Sequence, residues 1–288
     1  MISHYNVISN VVQNYLYDKA WRAKISPTYH DVALGLLPQS HIYGLIVISH
    51  SSVYRGDQVV VLPSFNLQRL LSCIAEYRIT NLYIVPPIII AMLKNADLLA
   101  KHDLSSVTGV FTGAAPLGPE TAQELNKLFP SWKIRQAYGL TESATTVLSS
   151  HPDDIWFGSS GCLVSGIEAK VMDLEGKEIT EYDKPGELLV KSPSIVLGYL
   201  ENEKATAEAF VDMPEGRFLR TGDEVVVRKS PKTGREHIWI IDRIKELIKT
   251  KVRSIEALFY GMFARYRSNG CIYPRVTKSL QQNLKPVY

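Results

Sequence analysis

Apolar and polar positions change rhythm partway along the chain. From Ser3, the residues Val7, Val11, Val12, Tyr15 and Leu16 recur at helical spacing. Ser3 is placed to cap them, so an amphipathic packing helix of about four turns is expected at the start. Short apolar runs then alternate with helical patterns: a strand over 32–37, a helix from about Tyr43, a strand over 58–62, a helix over 66–77, a strand over 82–85, a further helix, and a strand over 107–112. This alternation predicts a parallel sheet, because parallel neighbours need a helical crossover between them. A helix is expected from Pro119 to Leu128, where Pro is tolerated in the first turn, and then a short strand over 133–136 leading into Tyr138-Gly139. Beyond residue 160 the runs 167–172, 186–190, 218–220, 224–228 and 236–241, joined by turns such as Glu175-Gly176, read as antiparallel strands. The expected fold class is α/β: a parallel-sheet subdomain over 1–160, a small antiparallel β subdomain over 161–251, and a divergent basic tail over 252–288.

Composition narrows the picture. A chain of 288 residues with 45% hydrophobic and 21% charged positions has a sizeable core and excludes disordered, collagen-like and coiled-coil classes. The net charge of +3 comes from the last 37 residues, which hold six basic groups and one acidic. They show no repeated basic stripe, so no nucleic-acid partner is read from them. The three cysteines are isolated, without metal or redox spacing, and fit a reducing compartment. The longest apolar run, 82–93, is broken by Pro86-Pro87 and is too short to span a bilayer. No signal pattern marks the N-terminus, and the expected location is cytoplasmic by default.

Ligands of open parallel sheets bind beyond the carboxyl ends of strands, so the exits Phe111-Thr-Gly-Ala-Ala and Arg135-Gln-Ala-Tyr-Gly mark a candidate pocket. Thr112-Gly-Ala-Ala-Pro-Leu-Gly118 lets a planar ligand or phosphate approach the backbone; it lacks the Lys and Ser/Thr of a Walker loop. Tyr138-Gly-Leu-Thr-Glu142 gathers a ring, a hydroxyl and a carboxylate around a Gly, a set able to stack a base, bond a phosphate and hold Mg2+. Asp223, in Thr221-Gly-Asp, can accept from two adjacent sugar hydroxyls and equally can cap its own turn. Arg243 offers a planar donor fork, and Lys245, Glu246 and Lys249 follow at helical spacing. Taken singly, each reads as a solvated charge.

Taken in order, these segments, preceded by Leu37-Pro-Gln-Ser-His41, resemble the adenylate-forming (AMP-binding) enzymes, in particular the acyl-CoA and 4-coumarate-CoA ligase branch that includes firefly luciferase. The resemblance covers residues 1 to about 251. It implies ATP-dependent activation of a carboxylic acid to acyl-AMP with release of pyrophosphate, then transfer to coenzyme A. By that resemblance Gly113, Ala114 and Ala115 line the adenine, Tyr138 stacks on it, Thr141 bonds the α-phosphate and Glu142 holds Mg2+. Asp223 and Arg243 clasp the ribose, and His41 gates the acyl carboxylate. Tyr43, Val47 and Ala137 face the acyl group, Lys245 marks the hinge, and Lys249 assists the thioester step. The acid is expected to be apolar or aromatic; its identity and the oligomeric state stay open.

In the family, a Gly- and Ser/Thr-rich phosphate loop precedes a segment like Met1-Ile-Ser-His-Tyr-Asn6, and Gly-Phe-Gln stands where this chain reads Val252-Arg-Ser-Ile-Glu256. The resemblance thus implies that the phosphate loop and the C-terminal domain with its late lysine lie outside this sequence, and that the chain alone is inactive or nearly so. The alternatives are a non-catalytic module binding AMP or acyl-adenylate, an interaction module, or a decayed product. Lys285-Pro-Val-Tyr288 is not a peroxisomal address of the Ser-Lys-Leu type, although a full-length member can be peroxisomal.

Overall fold

The computed structural model describes residues 1–244. Lys245, Lys249 and the tail over 252–288 lie outside the described residues. The chain runs α1 (His4–Ile25), β1 (Val32–Gly35), a π-helical segment (Tyr43–His50), α2 (Ser51–Arg55), β2 (Gln58–Val61), α3 (Leu67–Tyr77), β3 (Asn81–Ile84), α4 (Pro86–Leu93), α5 (Ala96–Leu99), β4 (Gly109–Thr112), α6 (Pro119–Leu128), β5 (Lys133–Leu140) and β6 (Thr145–Ser149). It continues with β7 (Cys162–Leu163), β8 (Glu168–Met172), β9 (Gly186–Lys191), α7 (Glu203–Ala209), β10 (Phe210–Met213), β11 (Gly216–Lys229) and β12 (Glu236–Arg243).

The first sheet has seven strands in the order β2-β1-β3-β4-β5-β6-β7. Its first five strands are parallel, as the alternation predicts, and β6 and β7 add in antiparallel sense. The second sheet has five antiparallel strands, with β11 pairing β9, β10 and β12. The α/β class therefore holds.

Local signals start the helices. The Asn66 side chain accepts the Arg69 N–H at the start of α3, and Pro residues occupy the first turns of α4 and α6. Residues alternate across the parallel strands. Leu34, Leu82, Ile84, Val110 and Ile134 face one core together with Leu70, Leu71 and Ile74 of α3, Ile89 and Met92 of α4 and Leu125 of α6. Each such side chain contributes roughly 1.5–3 kcal/mol on burial. Their neighbours Ala33, Tyr83 and Phe111 face the opposite side, where Tyr43, Val47 and Ile48 of the π-helical segment cover them. A separate core joins Val147 and Leu148 of β6 to Leu188 and Val190 of β9 and Val225 of β11.

The structure differs from the sequence reading in four places. The first helix is 22 residues long, not about four turns, and its buried face is polar: Asn6, Asn10, Gln13, Asp18 and Arg22 turn inward, whereas Ile8 and Leu16 are exposed. β5 continues past Gln136 to Leu140 and folds back as β6. The two predicted strands over 218–220 and 224–228 are one strand, β11, whose register against β9 slips between Arg220 and Glu224. α7 and β10 arise in a stretch whose pattern indicated neither.

Candidate functional site

The site forms where β4 and β5 end. Near the end of β4 the Phe111 carbonyl accepts the Tyr43 hydroxyl at 2.7 Å, which pins the strand end to the π-helical segment. Burial raises the Tyr43 pKa well above its ordinary value, so this phenol remains a donor. The backbone then turns through Ala114 at φ +65°, a left-handed conformation that costs a non-glycine residue about 1 kcal/mol or more. The Leu117 N–H ahead of α6 donates to Gln136 Oε1 at 2.9 Å, so β5 holds the loop of β4.

One strand over, Tyr138-Gly139 begins a sharp reversal. A Cβ on Gly139 would lie 1.6 Å from the Thr145 carbonyl oxygen, so only glycine lets β6 approach β5 this closely. Ala144 at φ +50° and Thr145 at φ +109° complete the turn, the latter an outlier for a β-branched residue. Thr145 Oγ1 donates to the Ile42 carbonyl. Strain of this kind concentrates where surrounding structure fixes a binding geometry.

A single cavity collects His41, Ile42, Tyr43, Val47, Phe111, Gly113, Ala114, Ala137, Tyr138, Gly139, Thr145 and Thr146. Seven residues picked from the sequence thus share one cavity: His41, Tyr43, Val47, Gly113, Ala114, Ala137 and Tyr138. Exposed Ala115 lies next in sequence and outside that lining. His41 Nδ1 accepts the Tyr43 N–H at 3.1 Å, which puts the proton of the neutral ring on Nε2.

The second cluster surrounds Tyr138. Its hydroxyl donates to Asp223 Oδ2 at 2.5 Å, and Arg243 Nε donates to Asp223 Oδ1 at 3.3 Å. The slip in β11 carries Asp223 out of register with β9, and antiparallel pairing with β12 sets Arg243 opposite it. Burial, then the Asp223 charge, raises the Tyr138 pKa, so its hydroxyl stays protonated. Thr141 is exposed in the β5–β6 turn. Glu142, beside it, accepts from the Tyr199 hydroxyl at 2.8 Å. Burial and this carboxylate raise the Tyr199 pKa to about 12.

Sequence reasoning missed Gln136, Thr145, Tyr199 and the inner face of α1. Only α1 carried a signal: Asn6, Asn10 and Gln13 form a polar stripe at helical spacing within a pattern read as apolar. Asn10 Nδ2 donates to the Thr146 carbonyl and its Oδ1 accepts the Thr146 N–H, so this side chain pairs with β6 much as another strand would. Among the described residues, no group of three or more His, Cys, Asp or Glu is placed to hold a metal ion. None of their helices is long and apolar enough to cross a membrane.

Comparison with known proteins shows the family. The family model for the AMP-binding enzyme matches residues 1–200. Acyl-CoA ligase AFT1-1 of Alternaria alternata is 42% identical over 252 residues, covering 87% of this chain and 42% of that protein. Acyl-CoA ligase lcsD of Purpureocillium lilacinum is 42% identical over 251 residues, covering 87% and 63%. The chain thus spans less than two thirds of the length of these relatives. ATP-bound MatB from Rhodopseudomonas palustris superposes with a TM-score of 0.73 at 27% identity, over 86% of this chain and 46% of that one. A long-chain-fatty-acid-CoA ligase from Archaeoglobus fulgidus gives a TM-score of 0.71 at 25% identity, over 85% and 48%. The chain belongs to the AMP-binding enzyme family.

Proposed function

We propose that this chain carries the adenosine and acyl half-sites of an ATP-dependent acid–CoA ligase. The observation that carries the reading is the cavity in which His41, Tyr43, Val47 and Ala137 meet Gly113, Ala114 and Tyr138, with Tyr138 bonded to Asp223, which also accepts from Arg243. In this reading the adenine lies between the Gly113–Ala115 backbone and the Tyr138 ring. Asp223 and Arg243 take the ribose hydroxyls, and Thr141 donates to the α-phosphate. The acyl group enters the apolar wall of Tyr43, Val47, Phe111 and Ala137, which favours an apolar or aromatic acid. The His41 Nε2–H meets the acyl carboxylate at the mouth.

The residue types suit that chemistry. A carboxylate is already ionised at neutral pH, so the first step needs no general base, and catalysis comes from placing two anionic groups against fixed donors. Mg2+ binds through one or two carboxylates together with substrate phosphates. Glu142, held by Tyr199 through one oxygen only, fits that role: it would hold the ion, which would neutralise charge developing on the phosphates. Transfer to coenzyme A would follow, with Lys249 assisting and Lys245 at the hinge. The 288-residue chain by itself is proposed to bind AMP and to turn over little.

The test is a panel of fatty and aryl acids with ATP and Mg2+, read by pyrophosphate release, alongside AMP titration of the same protein. AMP binding with little pyrophosphate is expected. Pyrophosphate release at enzyme-like rates would overturn the low-turnover part of the proposal, and absence of AMP binding would overturn the half-site reading.

A further inference from the structure

Glu142 is gripped at two points by one segment that is distant in sequence. The Val196 N–H donates to the Glu142 main-chain carbonyl at 2.9 Å, and the Tyr199 hydroxyl donates to Glu142 Oε1 at 2.8 Å. The segment is itself braced from three directions. Asn6, buried in α1, donates through Nδ2 to the carbonyls of Pro193 and Ile195 at 2.9 and 2.8 Å. Arg217 of β11 donates to the carbonyls of Val196 and Leu197 at 3.2 and 3.0 Å while its guanidinium lies 3.9 Å from the centre of the Phe210 ring. The Tyr199 N–H donates to Thr206 Oγ1 of α7 at 2.9 Å.

The phenol reaches a half-exposed carboxylate from a backbone that α1, α7 and β11 all hold. Carboxylates that hold a cation are commonly fixed by a hydrogen bond to one oxygen, which sets the direction of the other. We infer that Tyr199 is a positioning residue: it holds Glu142 Oε1 so that Oε2 faces the bound nucleotide's cation. This rests on the proposal that Glu142 is the Mg2+ ligand.

The experiment uses the whole 288-residue chain with ATP and Mn2+ as the spectroscopically visible cation. Free Mn2+ is measured by electron paramagnetic resonance for the unaltered chain, Tyr199→Phe and Glu142→Gln, with ATP affinity and thermal midpoint measured in parallel. Tyr199→Phe keeps the ring and removes the hydroxyl. It is expected to weaken Mn2+ binding about three- to tenfold, the loss of one hydrogen bond, with ATP affinity in the absence of metal and the thermal midpoint both unchanged. Glu142→Gln is expected to weaken it more. If Glu142→Gln weakens Mn2+ binding and Tyr199→Phe does not, the positioning role is overturned and the ligand reading stands. If Glu142→Gln has no effect, or the unaltered chain takes up no Mn2+ beyond that held by ATP alone, the ligand reading falls and the inference with it. Hydrogen exchange of the 139–146 amides supplies a metal-free readout: faster exchange in Tyr199→Phe is expected, and identical exchange overturns the inference.

Discussion

At Tyr138 a ring and a hydroxyl have separate duties. The hydroxyl holds Asp223, and the ring borders the cavity. Base–aromatic stacking is worth about 1–3 kcal/mol, so Tyr138→Ala is expected to weaken AMP binding by about five- to 150-fold, while Tyr138→Phe weakens it only about two- to threefold. Titration of both variants with AMP checks this, and equal losses would contradict it. Gly139→Ala would drive a methyl group into the Thr145 carbonyl, for a destabilisation of at least about 3 kcal/mol read by urea unfolding. At this scale the segments around Gly113-Ala114 and Tyr138-Gly139 were legible as lining one cavity, because each lies at a strand exit. Tyr199 and Gln136 were not. Their meaning depends on Glu142, 57 positions away, and on the Leu117 N–H, 19 positions away, and no local pattern encodes such partners.

At the scale of elements, α1 shows how periodicity can mislead. Its apolar positions repeat at helical spacing, yet the face turned inward is mostly polar, with Asn6, Asn10, Gln13, Asp18 and Arg22 beside Val11, because its amides meet backbone of β6 and of the 193–195 loop. Unpaired peptide groups there would each cost about 1–3 kcal/mol. Asn10→Ala orphans both the N–H and the carbonyl of buried Thr146, and a loss of about 2–4 kcal/mol is expected, seen as a lower urea midpoint at unchanged slope. A loss below about 0.5 kcal/mol would show that water replaces the amide. β11 is the opposite case. Its apolar runs were visible, but Thr221-Gly222 looked like a turn between two strands, when it is the slip that carries Asp223 out of register with β9. α3, α4 and α6 were legible because a capping Asn or a first-turn Pro coincided with an apolar stripe.

Over the whole molecule, a buried charge network ties α1 to the parallel sheet. Arg22 bridges Asp31 at 2.5 Å and Asp57 at 2.6 Å, and Arg55 Nε meets Asp57 at 2.7 Å. Burial opposes ionisation of Asp31, but the Arg22 guanidinium and the Tyr29 hydroxyl outweigh it and hold the carboxyl below its ordinary range. A depressed carboxyl favours the folded state above the unfolded-chain value of about 3.9, and that contribution is lost as pH falls through the folded value. The urea midpoint is therefore expected to fall progressively as pH drops below about 5, and Asp31→Asn to flatten that fall while lowering the midpoint at pH 7. An unchanged slope with pH in Asp31→Asn would contradict the assignment. The overall class was legible because strand–helix alternation is a global pattern; the pairing of β6 and β7 onto the parallel sheet was not, since it is set by the reversal at Gly139. The adenosine half-site proposed for Tyr138, Asp223 and Arg243 is tested by calorimetric titration of the 288-residue chain with AMP. Saturable binding is predicted, weakened at least tenfold in an Asp223→Ala variant that keeps its circular dichroism; no binding, or equal binding by the two proteins, would contradict it.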